Sequence, residues 1–129
     1  MMKYYSRRVV KPGDLNPANR LFGGYLLSWI DEEAGIFASC QMDYSRNLVT
    51  KYMSEINFVG SAFNGDVIEF GMEVASVGTT SFTVRCEVRN KITKQVIIQV
   101  DKIVFVAIND EGQPVPHSMS QEELADAAV

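Results

Sequence analysis

The sequence predicts an α+β fold in which one long antiparallel sheet wraps around a single central helix. One long, mostly apolar helix lies near the start of the chain, and extended segments joined by short polar turns follow it. A sheet built from those segments must bury one face, and the helix is the apolar element that can cover it. The chain has 129 residues, of which 47% are hydrophobic, so we expect one domain that spans residues 1–129.

The first part of the chain predicts a strand and then the helix. Residues 4–10 have strand character and stop at the turn Lys11-Pro12-Gly13-Asp14. Apolar side chains then recur at helical spacing from residue 22 to residue 40 or 41, with no proline between them. This spacing predicts a helix of about five turns.

Extended segments with polar connections follow the helix. They cover residues 48–58, 68–75, 82–89 and 95–108, with a loop at residues 60–65 and turns at residues 77–79 and 91–94. The short turns predict antiparallel pairing. In the last segment the apolar face changes near Asp101 and Lys102, which predicts a bulge or a strand covered on both sides. Ser120 and Glu123 have the spacing of a capping box and predict a short terminal helix.

The composition excludes several classes of function. The formal net charge is −4, so the chain lacks the basic field that attracts a phosphate backbone, and nucleic acid is not an expected partner. No stretch approaches the roughly 18–20 apolar residues of a membrane span, and no signal peptide is recognisable, so we expect a cytoplasmic protein without a membrane partner. Cys40 and Cys86 lack the spacing of a metal site or a disulfide, and both are expected to be buried hydrophobes.

Three consecutive carboxylates interrupt the apolar helix, and a helical wheel assigns them different surroundings. The large apolar arc holds Phe22, Leu26, Trp29, Ile30, Ile36, Phe37 and Cys40, whereas the opposite face holds Gly24, Ser28, Asp31, Gly35 and Ala38. Glu32 lies toward the polar flank and is expected in solvent. Glu33 falls inside the apolar arc, which predicts a buried carboxylate that needs a partner such as Arg20, Lys51 or a neighbouring chain.

Asp31 lies at the centre of the face with small side chains. A glycine inside a helix costs roughly 0.5–1 kcal/mol relative to alanine, so the glycines there suggest that something approaches the backbone closely. Gly23 and Gly24 start the helix with unblocked N–H groups that can polarise a carbonyl oxygen, and an acid two turns later can activate water. Spacing alone leaves Asp31 open between this role and that of a solvent-facing acid.

A longer motif around these residues resembles a known family. Residues 16–35 read N-P-x-x-x-L-F-G-G-x-L-L-x-x-I-D-E-x-A-G, which is similar to the acyl-CoA thioesterases of the hotdog superfamily. The likeness continues through residues 48–50, 56–58, 65–66 and 77–81 and covers about residues 16–108. Relatives often have glycine where Asn19 stands, and asparagine tolerates a positive φ better than other non-glycine residues. The resemblance implies a hotdog fold, which is a helix wrapped in a long antiparallel sheet.

The resemblance also implies roles for individual residues at a site between two protomers. Asp31 matches the acid that acts as general base or nucleophile toward the thioester. Asn16 matches an asparagine of the facing protomer that orients water or substrate, and Thr50 matches a hydroxyl near the reacting water. Gly23 and Gly24 would present the helix N-terminus to the thioester oxygen. The segment that would touch the pantetheine and phosphates of CoA comprises Gly78, Thr79, Thr80 and Ser81, although the same residues also fit a plain hairpin turn.

The family resemblance favours acyl-CoA hydrolysis, with two alternatives. A hotdog-fold acyl-CoA dehydratase or hydratase commonly uses a histidine, and the one histidine, His117, lies between prolines and the C-terminus, where we expect it on the surface. A non-catalytic acyl-CoA-binding sensor generally carries a DNA-binding segment. No metal cluster is expected, and no cofactor is expected besides the CoA of the substrate. A homodimer is the expected minimal unit, with a tetramer or a hexamer as the larger assembly.

Overall fold

The computed structural model of the protein describes residues 1–42 and 47–117. In chain order, the strands and the helix of this part are β1 Lys3–Val9, α1 Gly23–Gln41, β2 Asn47–Phe58, β3 Val67–Val77, β4 Ser81–Asn90 and β5 Val96–Ile108. A short 3-10 turn, Pro12–Asp14, follows β1. The predicted helix at Ser120 and Glu123 lies outside the described residues.

The five strands form one antiparallel sheet in the order β1-β3-β4-β5-β2. The 19-residue helix α1 packs on one face of this sheet. The predicted fold class is therefore confirmed, and the helix and each strand lie close to their predicted bounds. Asn19 has φ 61°, as expected for a position where relatives often have glycine.

The apolar core lies between α1 and the inner face of the sheet. The helix buries Leu26, Ile30, Ala34, Phe37 and Ala38. The largest fully buried side chains of the sheet are Ile68, Phe70, Phe82, Val84, Val88, Ile98 and Ile103. These residues come from β3, β4 and β5, so the three central strands supply most of the surface on which the helix lies.

The helical wheel is partly wrong about which face of α1 is buried. Ala38, placed among the small residues opposite the core, is fully buried, whereas Phe22 and Ile36 are 46% and 48% exposed. Cys40 is exposed as well. The helix carries two adjacent apolar stripes, and hydrophobicity alone does not say which of them meets the sheet. The stripe through Leu26, Ile30 and Ala34 does, and the second stays uncovered in the protomer.

The change of apolar face in β5 comes from a bulge. Val84 pairs with Ile103 and Cys86 pairs with Val100, so Asp101 and Lys102 oppose a single residue of β4. This extra residue shifts the alternation of side chains between the two halves of the strand. After the bulge, one face is buried throughout, whereas the other is buried at Val104 and only partly buried at Val106 and Ile108. The predicted bulge is therefore present, and the cover on the second face is partial.

On the outer face of the sheet, a buried carboxylate joins three strands. Glu69 of β3 is 3% exposed, and its carboxylate accepts hydrogen bonds from Arg89 of β4 at 2.7 Å and from Lys94 at 3.3 Å. Arg7 of β1 lies 3.7 Å away. Burial raises the pKa of Glu69, but the hydrogen bonds from Arg89 and Lys94 outweigh it, so the pKa is lowered overall. The carboxylate thus stays charged and links β1, β3 and β4.

Gly60, two residues after β2, provides a test of how the chain packs against the start of β5. A Cβ atom at Gly60 would lie 2.5 Å from the carbonyl oxygen of Val96, which is backbone and cannot move aside cheaply. We expect Gly60→Ala to lower the free energy of unfolding by about 2 kcal/mol. Gly13→Ala is the matched control, because nothing lies within 4 Å of its Cβ position, and it should change stability by no more than about 0.5 kcal/mol. Urea denaturation measures both, and equal stabilities would contradict this packing.

Candidate active site

A short hydrogen bond joins the central helix to the edge strand. The hydroxyl Oγ1 of Thr50, on β2, donates to Oδ1 of Asp31, on α1, at 2.6 Å. Thr50 pairs with Phe105 of β5, whose side chain is buried toward the helix. Directly opposed residues in a sheet share one face, so Thr50 also faces the helix. Two of the residues singled out in the sequence are therefore in contact, although 19 positions separate them.

A pocket of about 310 Å³ opens beside this pair. Its lining residues are Asp31, Glu32, Gly35, Ile36, Ser39, Leu48, Thr50 and Phe105. Asp31 and Gly35 belong to the predicted face of small residues, so that face does border a space that a ligand can enter. Asp31 is partly exposed, and no residue within ranges 1–42 and 47–117 bonds to its second oxygen, Oδ2. The pocket therefore combines a charged oxygen with an apolar wall.

Asn16 lies in a separate pocket of about 220 Å³ at the start of α1, where it is accompanied by Gly23 and Phe58. Its Oδ1 accepts hydrogen bonds from the backbone N–H groups of Ala18 at 2.9 Å and Arg20 at 3.1 Å. Its amide nitrogen forms no hydrogen bond with any described residue. The side chain thus shapes its own loop with one end and keeps a donor available at the other.

The two pockets do not meet within one protomer. They share no lining residue. Gly23 and Asp31 are eight residues apart on the helix, which corresponds to a rise of about 12 Å. The structure therefore does not bring Asn16 to Asp31 inside a single chain, and a contact between them would need a second protomer.

The two glycines at the start of α1 leave room for aromatic rings, and they also leave the backbone N–H groups accessible. A Cβ at Gly23 would lie 3.2 Å from the ring of Phe58, and a Cβ at Gly24 would lie 2.8 Å from the ring of Phe22. No side chain caps this end of α1. The first N–H groups of a helix have no intrahelical acceptor, so those of Gly23 and Gly24 are candidates to donate to a ligand.

The segment from Gly78 to Ser81 forms the hairpin turn between β3 and β4. The N–H of Gly78 donates to the carbonyl of Ser81 at 2.9 Å. Phe82, the next residue, pairs with Phe105, which in turn pairs with Thr50. The turn therefore lies at the same end of the sheet as the Asp31 and Thr50 pair, about 10 Å across β5 from it.

His117 is buried, and the expectation of a surface position is wrong. The side chain is 2% exposed, and its Nε2 lies 2.8 Å from the carbonyl oxygen of Ser81. The chain after β5 turns back, so that Pro114 bridges to Ile108 and the N–H of Val115 donates to Ala107 at 2.9 Å. The flanking prolines had suggested a tail that leaves the surface, and they carry no signal of this return.

Glu33 and the cysteines also differ from expectation. Glu33 is partly buried, and it forms no ion pair with Arg20, Lys51 or any other cation of the described residues. It lies near enough to Cys86 that its charge adds to desolvation and to the charge of Glu87 in raising the pKa of that thiol. Cys86 is buried as predicted, whereas Cys40 is exposed because it belongs to the uncovered stripe of α1.

Within residues 1–42 and 47–117, no group of three or more His, Cys, Asp or Glu side chains could hold a metal ion. Across that part of the chain, no helix has the length and apolar character needed to cross a membrane.

Comparisons with known proteins find similarity to thioesterases. The sequence model of the thioesterase superfamily matches residues 18–97. A Bacillus subtilis protein described as an uncharacterized acyl-CoA thioester hydrolase is 34% identical over 116 residues, which cover 83% of this chain. The chain spans 63% of that relative's length.

Solved structures show the same fold. The acyl-CoA hydrolase of Staphylococcus aureus, in complex with butyryl-CoA, CoA and CoA disulfide, has a TM-score of 0.77 and 30% identity over 89% of this chain and 68% of its own. That enzyme has also been solved with an aspartate replaced by alanine and with a threonine replaced by alanine. A hexameric thioesterase of Yersinia pestis has a TM-score of 0.79 and 26% identity over 88% of this chain and 93% of its own.

Proposed function

The chain belongs to the thioesterase superfamily, and we propose that it hydrolyses the thioester of an acyl-CoA to a free acid and CoA. The observation that carries the proposal is the hydrogen bond of 2.6 Å between Thr50 and Asp31 at the mouth of a pocket. The relatives from Bacillus subtilis and Staphylococcus aureus carry the names of acyl-CoA hydrolases. Variants of the Staphylococcus enzyme at an aspartate and at a threonine involve the same two residue types.

The chemistry needs few groups, because a thioester carbonyl is already reactive toward water. A positioned water, a base and a donor to the carbonyl oxygen are sufficient. Thr50 holds Oδ1 of Asp31, so Oδ2 can take a proton from water while the oxygen of that water bonds to the carbonyl carbon. The tetrahedral intermediate then expels the CoA thiolate, which recovers the proton from Asp31. Direct attack by Asp31 would form a mixed anhydride instead, which water would open.

The other groups of the site come from a facing protomer in this proposal. Asn16 keeps an available amide donor and lines the pocket at the start of α1, which does not include Asp31 of its own chain. Gly23 and Gly24, at the same end of the helix, would donate N–H groups to the oxygen that gains negative charge in the transition state. The turn of Gly78, Thr79, Thr80 and Ser81 would contact CoA.

Two exposed apolar surfaces support a homodimer as the minimal unit. The edge strand β2 and the loop after it expose Val49, Tyr52, Phe58 and Val59 by 43–55% each. The uncovered stripe of α1 adds Phe22, Tyr25 and Ile36. Edge strands with apolar side chains invite pairing with another chain. The hexameric assembly named for the Yersinia pestis thioesterase supports a hexamer built from such dimers.

The proposal also concerns the cellular location, the cofactor requirement and the dehydratase alternative. We propose a cytoplasmic location, because neither Cys40 nor Cys86 forms a disulfide within the described residues, as is usual for cysteines in that compartment. CoA enters as part of the substrate, and no other cofactor is proposed. A dehydratase would need a histidine at the site, whereas His117 lines neither pocket.

The catalytic acid is tested by two isosteric substitutions. We expect Asp31→Asn to lower kcat for acyl-CoA hydrolysis about 1,000-fold because the amide cannot accept a proton from water. Glu33→Gln, in the neighbouring position, should keep kcat within about twofold of the wild type. Release of free thiol from a panel of acyl-CoAs, from short to long and aromatic, measures both and identifies the acyl group. An active Asp31→Asn together with an inactive Glu33→Gln would move the role to Glu33.

The contribution of the threonine hydroxyl is tested by a pair of similar size. Thr50→Val removes the donor to Asp31 and should lower kcat about 10- to 100-fold, because the carboxylate is no longer held in one orientation. Thr50→Ser keeps the hydroxyl and should stay within about fivefold of the wild type. Steady-state kinetics distinguish them, and equal rates for the two variants would remove Thr50 from the site.

Asn16 is tested by separating its two hydrogen-bonding roles. Asn16→Asp keeps an acceptor for the N–H groups of Ala18 and Arg20 but removes the amide donor. We expect kcat to fall about 100-fold with KM within about threefold, because the donor acts mainly in the transition state. Asn16→Ala should lose the loop contacts as well and unfold at a lower temperature. A loss in Asn16→Asp that appears only in KM would make Asn16 a binding residue instead.

A further inference from the structure

His117 ties the C-terminal segment to the turn between β3 and β4. Its backbone N–H donates to the carbonyl of Thr79 at 3.2 Å, and its Nε2 lies 2.8 Å from the carbonyl oxygen of Ser81. A carbonyl oxygen only accepts hydrogen bonds, so Nε2 carries the hydrogen. His117 therefore bonds to two residues of the turn, Thr79 and Ser81.

The carbonyl of Thr80, between these two residues, is also hydrogen-bonded within the protein. The N–H of Ala107, on β5, donates to the carbonyl of Thr80 at 2.9 Å. Three consecutive carbonyls of the turn, from Thr79 to Ser81, are therefore bonded to donors from β5, from the turn itself or from His117. Each of these oxygens is a partial negative charge that would repel an anion if it faced the ligand.

The fixed carbonyls determine where the amide groups point. No described peptide bond is cis, so the N–H of Thr80 points away from the carbonyl of Thr79 and hence away from His117. Thr79 is exposed and Thr80 partly exposed, so this N–H lies in a part of the turn that a ligand can reach. The carbonyls from Thr79 to Ser81 are already bonded within the protein, whereas this amide can donate to an anion.

Resting on the proposed function, we propose that His117 is a positioning residue that holds the turn of Thr79, Thr80 and Ser81 ready to bind the phosphate groups of CoA. The imidazole is 2% exposed and contributes both the hydrogen bond to Ser81 and the packing beneath the turn. Its role is to support binding of the nucleotide end of the substrate. It takes no part in the chemical step, which occurs at Asp31.

The test compares side chains of matched polarity and different reach. Asn is too short to reach the carbonyl of Ser81, whereas the amide nitrogen of Gln takes nearly the place of Nε2. With butyryl-CoA, we expect His117→Asn to raise KM about tenfold with kcat within about twofold, and His117→Gln to stay close to the wild type. With butyryl-pantetheine, which lacks the phosphates of CoA, all three proteins should have the same KM.

Binding of CoA itself, measured by calorimetry, keeps the inference separate from the hydrolytic activity. The Kd for CoA should rise about tenfold in His117→Asn alone. Equal Kd values in the three proteins, or an equal rise in KM for butyryl-pantetheine, would overturn the role of His117 and leave the proposed function intact. A wild type that binds CoA but releases thiol from no acyl-CoA would overturn the proposed function instead. Thermal melting and size-exclusion chromatography confirm that each variant is folded and assembled.

Discussion

A single five-stranded sheet can cover only one side of a long helix, and the rest of this structure depends on that constraint. The stripe through Leu26, Ile30 and Ala34 meets the sheet and forms the core. Phe22, Tyr25 and Ile36 remain nearly half exposed and forgo part of the roughly 1.5–3 kcal/mol that full burial of such a side chain contributes. A second protomer is the simplest way to recover that free energy.

The candidate site lies where the covered and uncovered sides of the helix meet. Asp31 is at the border of the buried stripe, so its carboxylate is positioned by the core and still reaches an open pocket. Thr50 comes from β2, which is one of the two edge strands of the sheet. The asparagine and the helix start occupy a second pocket, about two helical turns away. In the proposed function, each protomer therefore contributes two half-sites that become complete only when two protomers associate.

The sequence predicted the elements well, because apolar periodicity and turn residues are local signals. It also located the irregularity of β5 at Asp101 and Lys102, where the alternation changes phase. It was wrong about part of the buried face of α1, since it assigned the exposed Phe22 and Ile36 to the core and the buried Ala38 to the opposite face. His117 was wrongly placed on the surface, because its burial follows from a return of the chain along β5. The pairing of Asp31 with Thr50 entered through the family resemblance, because contacts between distant residues depend on strand register.

In the proposed function, each active site takes Asp31 from one subunit and Asn16 from the other. Mixing subunits tests it most directly: chains carrying Asp31→Asn and chains carrying Asn16→Asp, each nearly inactive alone, are unfolded together and refolded into mixed dimers. A shared site predicts that thiol release returns to roughly a quarter of the wild-type rate, because half of the dimers are mixed and each of those regains one intact site. A mixture as inactive as its two components would contradict the account.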